Sequence, residues 1–118
     1  MKIAITSTGN TVDSKLDQRF GRCAYFLIVD DDKLEAINNS AIASGGGAGI
    51  AAAQSVIDNK ANVLITGNVG PNAFNTLQAA GIEVYMAQNG AITDILEQFK
   101  QGKLNKVGGA NVGGHHGM

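Results

Sequence analysis

The chain has 118 residues, 44% of them apolar and 16% charged, with a formal net charge of −1. That length suits one domain with its own core, and the apolar fraction excludes a disordered chain. The charge balance argues against a general nucleic-acid binder, though not against a local positive site, and no apolar run is long enough to span a membrane.

Aromatic residues make up only 5% and tryptophan is absent, so the core must rest on Ile, Val, Leu and Ala. Cys23 is the single cysteine and can form no intrachain disulfide. With a start that runs from Met1 straight into a strand pattern and lacks a signal-peptide layout, this points to the cytoplasm.

Residues 2–6 read as a first strand, Ile-rich and ended by Ser7-Thr8-Gly9-Asn10. Residues 7–22 form a polar connection too long for an idle loop. Residues 24–29 and 34–38 read as a hairpin across Asp30-Asp31-Asp32-Lys33. A second loop, 39–47, leads into a helix over 48–59 with Ile50, Ala53 and Ile57 as its apolar stripe. Residues 62–66 contain the unbroken run Val63-Leu64-Ile65, as expected of a strand covered on both faces. Pro71 suits the first position of a helix over 71–80, and Gly81 stops it. Residues 82–86 read as a fifth strand. Ile92, Ile95, Leu96 and Phe99 mark a last amphipathic helix with Asp94, Glu97 and Lys100 outward, ended by Gly102.

The order βββαβαβα predicts an α/β fold: one mixed five-stranded sheet with helices on both faces. Right-handed crossovers place the fourth and fifth strands parallel to the first. The strand order becomes 3-2-1-4-5 with strand 2 antiparallel, a ribonuclease H-like three-layer α/β/α layout; a flavodoxin-like sheet is the alternative. The reading gives one domain over 1–102 and a flexible Gly/His tail over 103–118.

Three segments carry chemistry. In Arg19-Phe20-Gly21-Arg22-Cys23, two guanidiniums flank one thiol. Positive neighbours favour the thiolate, the metal-ligating form, and arginine donates to anions. A buried structural cysteine with two solvent-facing arginines is the plain alternative. Gly45-Gly46-Gly47-Ala48-Gly49 precedes a helix and can present backbone N–H groups to an anion. It lacks the Lys-Ser/Thr ending of a nucleotide loop and has no strand directly before it. A loop that merely caps the helix is the alternative. Gly67-Asn68-Val69-Gly70-Pro71-Asn72 links a central strand to a helix N-terminus, at the edge where open sheets bind ligands. Here the alternative is a simple strand-to-helix turn. Two adjacent parallel strands deliver residues 7–22 and 67–72 to one rim.

The end, His115-His116-Gly117-Met118, offers possible metal ligands on a glycine tail without fixed geometry. Both histidines lie there, so the rest of the chain has no Ser–His or Cys–His pair, and no acid–base pair is marked by spacing. The expectation is a protein that is not an enzyme.

The strings Arg19–Phe26, Gly47–Gln54 and Ile65–Phe74 together resemble the dinitrogenase iron-molybdenum cofactor binding family, which includes NifX, NafY and the C-terminal part of NifB. The resemblance runs in order along nearly the whole chain and has the character of a small stand-alone member. It implies a ribonuclease H-like fold and transient binding of an iron–sulfur or iron-molybdenum type cluster. It also implies cluster donor and acceptor proteins as partners, and the expected state is a monomer or weak homodimer. Carried onto this chain, the cluster would sit near Arg19, Arg22 and Cys23 and the loop residues Gly46, Gly47, Gly49, Gly67, Asn68, Gly70 and Asn72. Cys23 would be a direct ligand, with His115 and His116 as further candidates. Many members carry a histidine before the first glycine loop; this chain has Ser40-Ala41-Ile42-Ala43-Ser44 there.

One cysteine cannot hold an ordinary cluster, which takes four. A finished, anionic cluster gripped by one thiolate, two arginines and backbone N–H groups is the leading expectation. A cofactor-free interaction or regulatory module is the first alternative. An enzyme acting on a phosphorylated small molecule is the second.

Overall fold

The computed structural model describes residues 1–39 and 48–108. The strands are β1 (Lys2–Ser7), β2 (Tyr25–Asp30), β3 (Lys33–Asn38), β4 (Val63–Thr66), β5 (Glu83–Met86) and β6 (Asn105–Lys106). The helices are α1 (Ala48–Asp58), α2 (Pro71–Ala79) and α3 (Ile92–Lys100), with a 3-10 turn at Phe20–Arg22. The sheet order is β3-β2-β1-β4-β5-β6. β1, β4 and β5 run parallel to one another, and β2 and β3 form the antiparallel hairpin beside β1. The five-strand order 3-2-1-4-5 and the antiparallel β2 are those expected.

Alternation along the strands divides the core. Ala4, Phe26, Ile28, Leu64 and Val84 face one side, where Ala52, Ala53 and Val56 of α1 and Ala73, Phe74 and Leu77 of α2 cover them. Ile3, Ile5, Leu27, Val63 and Ile65 face the other, under Ile92 and Ile95 of α3. Two helices thus cover one face and one covers the other.

The structure corrects two expectations. The sheet has a sixth strand, so the folded part extends past residue 102. Met86 and Tyr85 pair with Asn105 and Lys106, and the Val107 N–H donates to the Val84 carbonyl at 2.8 Å. Leu104 and Val107 pack on opposite core clusters. Residues 103–108 therefore belong to the domain rather than to a loose tail. In α1 the buried face is Ala48, Ala52, Ala53 and Val56, while Ile50 is 43% exposed. Small residues let α1 lie close to α2: a Cβ on Gly49 would sit 3.6 Å from that of Ala73.

Candidate functional site

The two loops expected at one rim do meet. The Asp17 N–H donates to the Thr6 carbonyl at 3.0 Å, and the Asn68 N–H donates to the Gln18 carbonyl at 2.9 Å. Arg19 and Asn68 form an isolated parallel bridge. Beneath them, buried Thr6 donates its hydroxyl to the Asp17 carbonyl at 2.6 Å and lies 2.9 Å from the Thr66 hydroxyl. Buried polar groups need such partners, so this link fixes the loop on the ends of β1 and β4.

Above this link lies an open cleft of about 250 Å³. The 3-10 turn supplies Phe20 and Gly21, α1 supplies Ala48 to Ile50, and the β4–α2 turn supplies Asn68 and Gly70. Pro71, Asn72 and Ala73 of α2 complete it. Both helices begin here. The first-turn N–H groups of a helix have no acceptor within it. At α2, Gly70 occupies the N-cap and supplies no side-chain cap to the first-turn N–H groups. Among the described residues no charged side chain lines the cleft.

Of the residues singled out from sequence, Gly49, Asn68, Gly70 and Asn72 line this cleft. Gly67 does not; it is buried against Gln18, where a Cβ would come within 2.7 Å of the Gln18 Cα. Gly46, Gly47, His115 and His116 fall outside the described residues.

Cys23 does not line the cleft. Its side chain is fully buried in the core cluster with Phe20 and Phe26. The thiol donates to the Phe20 carbonyl at 3.4 Å, and the Asn39 amide lies 3.6 Å from Sγ. Burial foremost, then the Asp17 carboxylate, pushes the thiol up from 9.0 to about 12; Asn39 and Arg19 pull the other way and are outweighed. The lowering of its pKa expected from the two arginines is reversed.

The arginines also stand apart from the cleft lining. Arg19 Nε and Nη2 each donate to Asp17, both at 3.1 Å, and its backbone N–H donates to the same carboxylate at 3.0 Å. The hydrogen bond and charge of Asp17 hold the guanidinium pKa up. Arg22 is exposed.

Sequence reasoning missed Gly21 and Asn39 as builders of the site. A Cβ on Gly21 would lie 3.0 Å from the Gly49 nitrogen, so only glycine lets the 3-10 turn reach the start of α1 this closely. Buried Asn39 donates to the Cys23 carbonyl at 2.9 Å and the Gly21 carbonyl at 3.3 Å, tying β3 to that turn. The Phe20-Gly21 pair was the available signal for the first; nothing local marks Asn39.

The thiol gives a prediction with a definite sign. Its folded pKa lies above the unfolded value, so the folded state holds a proton that the unfolded state releases. That contribution to stability is complete below pH 9 and is lost as pH rises from 9.0 towards about 12. Urea midpoints of wild type should fall over that range more steeply than those of Cys23→Ala. Parallel curves would contradict the burial of the thiol.

Among the described residues no group of three or more His, Cys, Asp or Glu side chains can hold a metal ion, and no helix is long and apolar enough to cross a membrane.

The family model described as dinitrogenase iron-molybdenum cofactor matches residues 1–102. An uncharacterized protein of Methanocaldococcus jannaschii is 33% identical over 111 residues, covering 90% of this chain and 91% of its own. The apo form of the orange protein from Desulfovibrio gigas has a TM-score of 0.89 at 39% identity, covering 93% of this chain and 95% of its own. A Thermotoga protein described under the NifB name has a TM-score of 0.78 at 36% identity, covering 89% and 91%. Matched over residues 1–102 of its 118, the chain belongs to the dinitrogenase iron-molybdenum cofactor family.

Proposed function

We propose that the chain is a non-catalytic carrier of a preassembled, anionic metallocluster of the iron–sulfur or iron-molybdenum type. The cleft between the 3-10 turn and the first turns of α1 and α2 is where the cargo docks. The observation that carries this reading is the composition of the cleft. It presents helix N-termini and the amides of Asn68 and Asn72, yet no ionised side chain among its described lining.

Helix N-termini take anions of many sizes, so the apolar part of the lining is what favours a large one. A large sulfide-rich cluster spreads its charge and has apolar edges. Phe20, Ile50, Pro71 and Ala73 give it matching apolar walls. The helix N-termini add partial positive charge. Cys23 is buried, so the grip is made without a metal–sulfur bond from the described residues. Release from the cleft then breaks no metal–sulfur bond, which suits delivery from a donor protein to an acceptor. His115 and His116 remain proposed auxiliary ligands. The cytoplasm, where such clusters survive reduced, is the proposed location.

The second reading is a cofactor-free interaction or regulatory module. It draws on Ile50, 43% exposed at the mouth of the cleft, as a contact for a protein partner.

An anaerobic titration separates them. Purified chain mixed with isolated or reconstituted cluster should carry the cluster through gel filtration and surrender it to an apo-acceptor protein. A cluster left wholly in the low-molecular-weight fraction would contradict the carrier reading and leave the interaction module.

A further inference from the structure

Of the asparagines in this chain, only Asn89 is followed by glycine. The pair lies in the loop between β5 and α3, with Asn89 exposed and Gly90 half-buried. Both line an open cavity of about 320 Å³, so water reaches the side-chain amide and the peptide bond beside it.

Hydrogen bonding leaves that peptide nitrogen free to react. Neither the Gly90 N–H nor the Asn89 side chain bonds to a described residue. The chain on either side is pinned. The Ala87 N–H donates to the Thr66 carbonyl at 2.9 Å, and the Gly90 carbonyl accepts the Leu16 N–H at 2.9 Å. The Ile92 N–H donates to the Ser14 carbonyl at 2.9 Å. Every other asparagine precedes a residue with a Cβ, which crowds the approach of the next nitrogen to the side chain. Asn72 and Asn75 are held in α2, and Asn38 and Asn105 in strands.

We infer that Asn89–Gly90 is a self-modification site, where the side-chain amide is exchanged for a carboxylate. The Gly90 nitrogen attacks Asn89 Cγ, and the new C–N bond closes a five-membered succinimide. The Cγ–Nδ2 bond breaks, and ammonia leaves with the proton that the Gly90 nitrogen gives up. Water, the only co-reactant, then opens the ring at either carbonyl, giving aspartate or isoaspartate without any change of oxidation state. Nucleophile and carbonyl stand on adjacent residues, so the ring-closing step is intramolecular. In isoaspartate the main chain runs through Cβ and Cγ, which adds one backbone atom between the anchors at Ala87 and Gly90. The Gly90 carbonyl then leaves its register with Leu16, and the first loop, which continues into the rim of the cleft, loses a tie.

The test needs no cluster. The full chain is incubated at neutral and at mildly alkaline pH, and its peptides are followed by mass spectrometry. Isoaspartate is identified with a methyltransferase specific for it. Asn89 should lose its amide about ten-fold faster than Asn10 or Asn68, and faster at the higher pH, where more of the attacking nitrogen is deprotonated. Gly90→Ala should slow the loss about ten-fold. Gly90 has no left-handed φ, and a Cβ there would sit 3.9 Å from Ile95 Cδ1, an ordinary contact, so this variant keeps its fold. The isoaspartyl form should exchange its Leu16 amide proton about ten-fold faster than fresh protein. An Asn89 amide that outlasts that of Asn10, or a Gly90→Ala rate equal to wild type, would overturn the inference. Unchanged exchange at Leu16 would overturn the link to the rim.

Discussion

Gly67→Ala should lower the melting temperature of the chain by about 5–15 °C, while Gly49→Ala leaves it level or slightly higher. Gly67 is buried, and a Cβ there would lie 2.6 Å from Gln18 Cβ and 2.7 Å from Gln18 Cα and Cγ. The Cα cannot rotate away. The Gln18 backbone must move, and it accepts the Asn68 N–H at 2.9 Å, which joins the two loops of the rim. Overpacking of this kind costs about 1–3 kcal/mol, and each kcal/mol shifts a domain near this size by about 4–8 °C. Gly49 meets the Ala73 Cβ at an ordinary 3.6 Å and sits inside α1, where alanine is the better helix former by up to about 1 kcal/mol. Thermal denaturation of the two variants checks both signs. A Gly67→Ala protein as stable as wild type would mean that the loops do not approach as described.

Asn72→Asp should separate fold from cargo. Asn72 is exposed in the first turn of α2 and lines the cleft. A carboxylate there meets the positive end of the helix and stabilises it by about 0.3–1 kcal/mol. The same carboxylate fills the anion's place with like charge. Screened by nearby water, the repulsion is about 1–2 kcal/mol, roughly ten-fold in Kd. Denaturation should show a protein at least as stable as wild type, and anaerobic titration should show weakened cluster uptake. Raised salt should narrow the gap.

The sheet was legible because strand alternation and helix periodicity are written residue by residue. Val63-Leu64-Ile65 could only sit between two helical layers, and its neighbours followed from crossover rules. β6 was not legible. Asn105-Lys106 has no apolar pattern and exists because β5 offers an edge and Leu104 and Val107 find core on either side. In α1 the core takes the alanines, and the bulkier Ile50 stands at the cleft mouth.

The meeting of the loops was legible; the directions of the Cys23 and arginine side chains were not. The convergence of the first loop with the β4–α2 turn followed from two adjacent parallel strands. The role of Cys23 was inferred from its neighbours along the chain, yet side chains one and four residues away need not face the same way. The turn at Phe20–Arg22 leaves both arginines outward and packs the thiol inward. Asp17, two residues before Arg19, takes that guanidinium in a two-pronged ion pair. Neither outcome is encoded in local composition.

The most direct trial places cluster binding by Cys23→Ala beside that by Asn72→Asp, both titrated anaerobically with one cluster preparation. Docking on helix amides predicts that loss of the buried sulfur leaves affinity near wild type, whereas the new carboxylate weakens it. If the cysteine variant loses the cluster and the aspartate variant keeps it, the anion is held by sulfur, and the cleft is not its seat.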